Sequence, residues 1–148
     1  IALSVFLIGG LAQRLARAGF PILRTACTGI AGFIFFECLI IADLPISPWL
    51  LWLPYACCAT APVLIYSVLA GTFTSNLAGR VNTAYNFTTF TFAFAVQWFL
   101  GAVIDLWPPV ADGQFAPQGY RVGFAIIVIL QLSAFAWLIM SPKFAARR

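Results

Sequence analysis

The sequence predicts an all-α fold, a polytopic bundle of transmembrane helices. Three observations carry this. Four long apolar stretches, roughly 21–42, 48–71, 81–104 and 120–140, fill most of the chain. Each meets the ~20 helical residues that a ~30 Å hydrocarbon core requires. Charged residues make up 8% of the chain and hydrophobic ones 63%, whereas a soluble domain carries about 25% charged residues. The mean hydropathy is +1.00, so there are too few charges to cover a water-facing surface.

Residues 1–10, I-A-L-S-V-F-L-I-G-G, form only half a span and begin with Ile1. No cationic leader or small-residue cleavage site marks them as a signal peptide. They predict the end of a helix begun upstream, in the C-terminal piece of a longer polytopic protein. The stretch 21–42 is nearly uncharged, with Arg24 near its start and Glu37 inside it. The next, 48–71, carries Pro48, Pro54 and Pro62. Proline removes a backbone donor and kinks a helix, which predicts an interrupted span. The stretch 81–104 holds the most polar groups. The connection at 106–119, L-W-P-P-V-A-D-G-Q-F-A-P-Q-G, is rich in proline and glycine and predicts an irregular loop. The last span is 120–140.

Charge placement predicts topology. Lys and Arg concentrate on the cytoplasmic side of membrane proteins. If the spans alternate, Arg14, Arg17, Arg24, Arg80, Lys143, Arg147 and Arg148 share one side. Asp43, Asp105, Asp112 and the single base Arg121 fall on the other. The C-terminus is therefore expected in the cytoplasm. Trp49, Trp52, Trp107 and Trp137 lie near span ends, where tryptophan prefers to sit; Trp98 lies deeper.

Several function classes are disfavoured. The net charge is +4, but the bases are scattered rather than arranged in a stripe, so no nucleic-acid partner is expected. Histidine is absent, and Cys27, Cys38, Cys57 and Cys58 all fall inside predicted spans. They match neither a zinc pattern nor a disulfide framework, and they are read as packing residues. No metal or cofactor is expected. No phosphate-binding G-x-x-x-x-G-K-[ST] is present. A membrane-embedded enzyme would need paired carboxylates, an activated nucleophile or metal ligands at depth; only Glu37 is placed there, so no enzyme is expected.

Residues 9–19, G-G-L-A-Q-R-L-A-R-A-G, lie between two spans at the basic side. They resemble the loop signature of the major facilitator superfamily, G-x-L-A-D-R-x-G-R-R. Gly9, Leu11, Ala12, Arg14 and Arg17 match. Gln13 stands in place of the Asp, Ala16 in place of the Gly, and Ala18 in place of the second base. The degeneracy resembles the weaker copy that the family carries between helices 8 and 9. Residues 78–105 are similar to helix 11 of bacterial members, entered through a small-Gly-Arg turn and left through G-x-x-x-D. The resemblance implies the end of helix 8 and helices 9 to 12, part of the C-terminal six-helix half. It implies secondary active transport of a small solute, an N-terminal half as partner, and a bacterial inner membrane. In the family the signature stabilises the outward-facing state through its Asp; Gln13 lacks that charge, so such a latch is expected to be weaker. Independently of any family, Arg14 and Arg17 share a helix face, and they also fit a role in setting orientation alone.

Polar residues at membrane depth mark candidate sites. Asn82 and Asn86 stand one turn apart, and Thr89, Ala93, Gln97 and Gly101 continue near that stripe. Asn86 and Gln97 fit either solute contact or helix packing. Tyr55, Thr60, Tyr66 and Ser67 supply polar tips in the proline-rich span, which the resemblance equates with cavity-lining helix 10. Tyr55 and Tyr66, eleven residues apart, share a face of a continuous helix. The cavity candidates are thus Tyr55, Thr60, Tyr66, Asn86 and Gln97. Glu37 lies ~9 Å below the end of its span. A carboxyl there invites a proton-coupling role, although the resemblance places its helix at the periphery; a structural pair or a snorkelling carboxylate fits as well. Gln131 and the small residues Ala26, Gly29 and Gly32 read as packing groups. Beside the transporter stands one other class, a small four-helix membrane scaffold or assembly protein. Membrane lipid is a partner in either case.

Overall fold

The computed structural model describes residues 2–110 and 114–141. Asp112 and the basic tail at Lys143, Arg147 and Arg148 lie outside them, so their part of the charge pattern is not described. Six α-helices follow in order: α1 (Ala2–Arg17), α2 (Ile22–Ile41), α3 (Pro48–Cys58), α4 (Leu64–Ala70), α5 (Ser75–Ile104) and α6 (Pro117–Met140), with a 3-10 turn at Ala61–Val63. Among the described residues there is no strand; Val110 and Gln114 form an isolated bridge. Ile22–Ile41, Pro48–Ala70, Ser75–Ile104 and Pro117–Met140 are long and apolar enough to cross a membrane. The described residues are helical and without strands, as the sequence predicts, and these four segments have the length and apolar composition of membrane spans.

The starts or ends of two helices, α1 and α5, differ from expectation, and the break in the proline-rich span agrees with it. Helix α1 continues past Gly10 to Arg17, so the signature residues Gly9, Leu11, Ala12, Gln13, Arg14 and Arg17 are helical rather than a loop. Leu, Ala, Gln and Arg are strong helix formers. The helix stops only at Gly19, whose φ is +89°. There the Gly19 N–H donates to the Ala16 carbonyl at 3.1 Å and the Phe20 N–H to the Leu15 carbonyl at 2.9 Å. These are the two bonds of a Schellman stop, with Pro21 following directly. Arg14 and Arg17 lie in the last turn, where cations complement the helix dipole.

The proline-rich span is split. Thr60 and the 3-10 turn separate α3 from α4, because Pro62 cannot donate to the ladder. The Thr60 hydroxyl donates to the Cys57 carbonyl at 2.8 Å across the break. The other difference is α5, which begins at Ser75 rather than near Val81. The Thr74 carbonyl accepts from Leu77 and Ala78, so the polar run S-N-L-A-G-R is the helix's first turns. Helix α6 starts at Pro117, a residue suited to the first helical position.

The chain divides into two compact units, residues 1–95 and 96–148. In the first, α2 packs mainly on α3 and also meets α1, the 3-10 turn and α4. Ala12, Ala26 and Leu64 form the core, with Ile8, Ile22 and Ile65 against it. Small residues set the approach. A methyl at Gly29 would overlap the Ala61 side chain, and one at Gly32 would stand 3.1 Å from Cys58 Sγ. Ala26 is completely buried.

In the second unit, α6 meets the end of α5 through two glycines one turn apart. A Cβ at Gly119 would lie 3.1 Å from the Ile104 Cα, and one at Gly123 would lie 2.7 Å from Leu100 Cδ2. This Gly-x-x-x-Gly pair lets two backbones approach closely. The buried amide oxygen of Gln131 has no hydrogen-bond partner among the described residues.

Candidate functional site

The hydroxyls of the helices are mostly satisfied by their own backbone. On α5, Thr83, Thr88, Thr89 and Thr91 donate to the carbonyls four residues earlier, at 2.8–3.0 Å. Thr28 and Ser133 do the same on α2 and α6. With no water in the hydrocarbon, this is the cheapest way for a hydroxyl to stay bonded. It removes Thr89 from the groups seeking a partner. Tyr66 and Asn86 instead bond to each other across two helices, so they define the site.

Tyr66 on α4 donates its hydroxyl to Asn86 Oδ1 on α5 at 2.7 Å. The Tyr66 ring meets Tyr85 edge-on, with centroids 4.8 Å apart and planes at 83°. Edge-to-face packing suits the ring quadrupoles. Asn86 lies six residues past Arg80, about 9 Å further along α5. Its oxygen accepts from Tyr66, which leaves its exposed NH2 group as a donor. One turn earlier, the buried Asn82 Oδ1 has no hydrogen-bond partner among the described residues. At this depth such an acceptor is costly until a donor reaches it. The cluster thus offers an amide donor, an amide acceptor and an aromatic wall, a set that recognises polar, hydrogen-bonding groups.

The structure brings Tyr66 and Asn86 together and leaves the other candidates elsewhere. Tyr55 stacks on Phe33 of α2 at 4.6 Å and meets Trp52 edge-on at 5.6 Å. The face expected to join Tyr55 and Tyr66 assumed one continuous helix, and the 3-10 turn interrupts it. Thr60 is 6% exposed and its hydroxyl is used at the helix break, so it braces the backbone there. Gln97 lies in the second unit, on α5, with its side chain exposed. Glu37 is 3% exposed on α2 and lies within electrostatic reach of Tyr55. It faces the packed interior of the first unit.

Sequence reasoning missed Tyr85, although it precedes Asn86 directly and follows Asn82 by three residues. Among the described residues, no three of the His, Cys, Asp and Glu side chains gather as a metal site would require. Ser4 donates to Cys57 Sγ at 3.9 Å, and Cys58 packs on Gly32. In comparison with known proteins, no family model, no curated protein and no solved structure matches this chain.

Proposed function

We propose that the chain serves secondary active transport of a small polar solute, as part of the C-terminal half of a major facilitator-type bundle. The observation that carries this reading is the Tyr66–Asn86 pair at membrane depth, beside a span broken at Ala61–Val63. Transporters place solute sites near the bilayer midplane and use interrupted helices to build them. Polar groups in lipid are expensive, and they face the bundle interior or a water-filled path. In this reading Tyr66, Tyr85 and Asn86 form one wall of the cavity, and an N-terminal half of the same protein supplies the other. The break gives α4 freedom to shift against α3 as the halves rock. The protein is not an enzyme; it resides in a bacterial inner membrane with its C-terminus in the cytoplasm.

The test is solute flux in proteoliposomes that carry the full reading frame containing this chain. Saturable transport is expected, with Asn86→Ala raising KM about fivefold, the effect of one hydrogen bond of about 1 kcal/mol. Flux that persists with an unchanged KM in both Asn86→Ala and Tyr66→Phe would remove this cluster from the cavity.

A further inference from the structure

Two open grooves in the first unit share a design that the Tyr66–Asn86 site does not use. One, of about 720 Å³, runs along the start of α5 past Asn76, Arg80, Gly79, Ala84 and Phe87. The other, of about 420 Å³, runs along the end of α1 past Arg14, Leu11, Gly10, Leu7 and Phe6. Each has an arginine toward the helix end, a small residue one turn deeper, Ala84 or Gly10, and a phenylalanine deeper still. Phe87 lies seven residues from Arg80 and Phe6 eight from Arg14, or about 10–12 Å along each helix. Residues four and seven apart share a helix face, so each set forms one strip.

If α2 and the α3–α4 pair each cross the bilayer once, the end of α1 and the start of α5 emerge on the same side. Both arginines are exposed, and neither is ion-paired among the described residues. A guanidinium there meets phosphate in a bidentate geometry. At Gly10 the strip is open: a Cβ there would have no neighbour within 4 Å. The apolar floor then lies at acyl-chain depth. The α1 groove sits at a helix C-terminus, where the dipole repels anions, so the arginine is the attraction the two grooves have in common.

We infer that these grooves each hold one anionic phospholipid, its phosphate on Arg80 or Arg14 and an acyl chain lying across Ala84 or Gly10 onto Phe87 or Phe6. Positive charge at the membrane edge complements an anionic headgroup. The apolar floor selects a lipid over free phosphate.

Native mass spectrometry of the detergent-purified full chain, titrated with phosphatidylglycerol or phosphatidylcholine, tests this. Two retained phosphatidylglycerol molecules per chain are expected, and fewer of phosphatidylcholine. Arg80→Gln should weaken one site about fivefold, the effect of one basic residue at an anionic surface. Gly10→Leu keeps every charge and fills the open strip between Arg14 and Phe6, and it should also release one lipid. Arg24→Gln, which removes an exposed charge outside both grooves, should release none. Far-UV circular dichroism confirms that the variants stay helical. Equal retention of the two lipids would overturn the inference. So would a Gly10→Leu protein that binds like the wild type, equal loss in Arg24→Gln, or displacement of the lipid by inorganic phosphate.

Discussion

Gly29 and Ala61 provide the sharpest test of how α2 holds the broken span. A methyl added at Gly29 would overlap the Ala61 side chain, and Ala61 is 1% exposed in the 3-10 turn. The overlap involves a methyl group tied directly to backbone, so it cannot swing aside; the helices must separate. Overpacking of this kind costs about 1–3 kcal/mol. Replacing glycine by alanine inside a helix returns up to ~1 kcal/mol, which leaves Gly29→Ala net destabilised by about 1 kcal/mol. For a chain of this size that is roughly 3 °C in Tm. Gly79→Ala is the internal control, because its Cβ meets nothing and only the gain of ~1 kcal/mol remains. The double variant Gly29→Ala/Ala61→Gly removes the obstructing methyl. It should be more stable than the sum of the single changes by about 1–2 kcal/mol, since the two sites are in contact. Thermal unfolding in mild detergent, followed by far-UV circular dichroism, reads all four proteins. A Gly29→Ala protein as stable as Gly79→Ala, or a double variant whose effects simply add, would refute the close crossing.

Three further outcomes follow from the geometry. Gly19→Ala forces a side chain into left-handed backbone at φ +89° and should cost about 1–2 kcal/mol, seen as a lower Tm. Gly119→Ala should destabilise more than Gly123→Ala, because backbone of Ile104 stands against Gly119 whereas Gly123 meets the movable end of Leu100; urea or thermal midpoints in detergent rank the two. Glu37→Gln keeps the buried shape of a residue that is 3% exposed, so the pH dependence of flux should be unchanged, and a shifted pH profile in proteoliposomes would return Glu37 to the mechanism.

Hydropathy made the four spans legible because lipid imposes length and composition at once. Helix ends were harder to read. The signature segment ending at Arg17 looked like a loop because it is polar, yet its residues are helix formers, and the stop was written in Ala18, Gly19, Phe20 and Pro21. The start of α5 was hidden for the same reason: Ser75, Asn76 and Arg80 are polar because they lie at a helix end, not because they leave the helix. Prolines announced that the span 48–71 would be interrupted, but not that Pro62 rather than Pro54 would mark the break. The pairing of Tyr66 with Asn86 depends on how α4 meets α5, a tertiary fact that periodicity along one helix does not contain. The Gly119–Gly123 spacing was readable in the sequence and went unused. Thr60 was singled out for its hydroxyl, whose partner lies three residues away in its own chain.

Labelling from the two faces of sealed vesicles bears on whether these helices thread the bilayer in alternation. In a background with Cys27, Cys38, Cys57 and Cys58 replaced, single cysteines at Ala18, Ser47, Asn76 and Leu106 report each connection in turn. Ala18→Cys and Asn76→Cys should react with an impermeant reagent from one face only, and Ser47→Cys and Leu106→Cys from the other face only. Reaction of Ala18→Cys and Asn76→Cys from opposite faces would contradict the topology, and with it both the transport cavity and the paired lipid grooves.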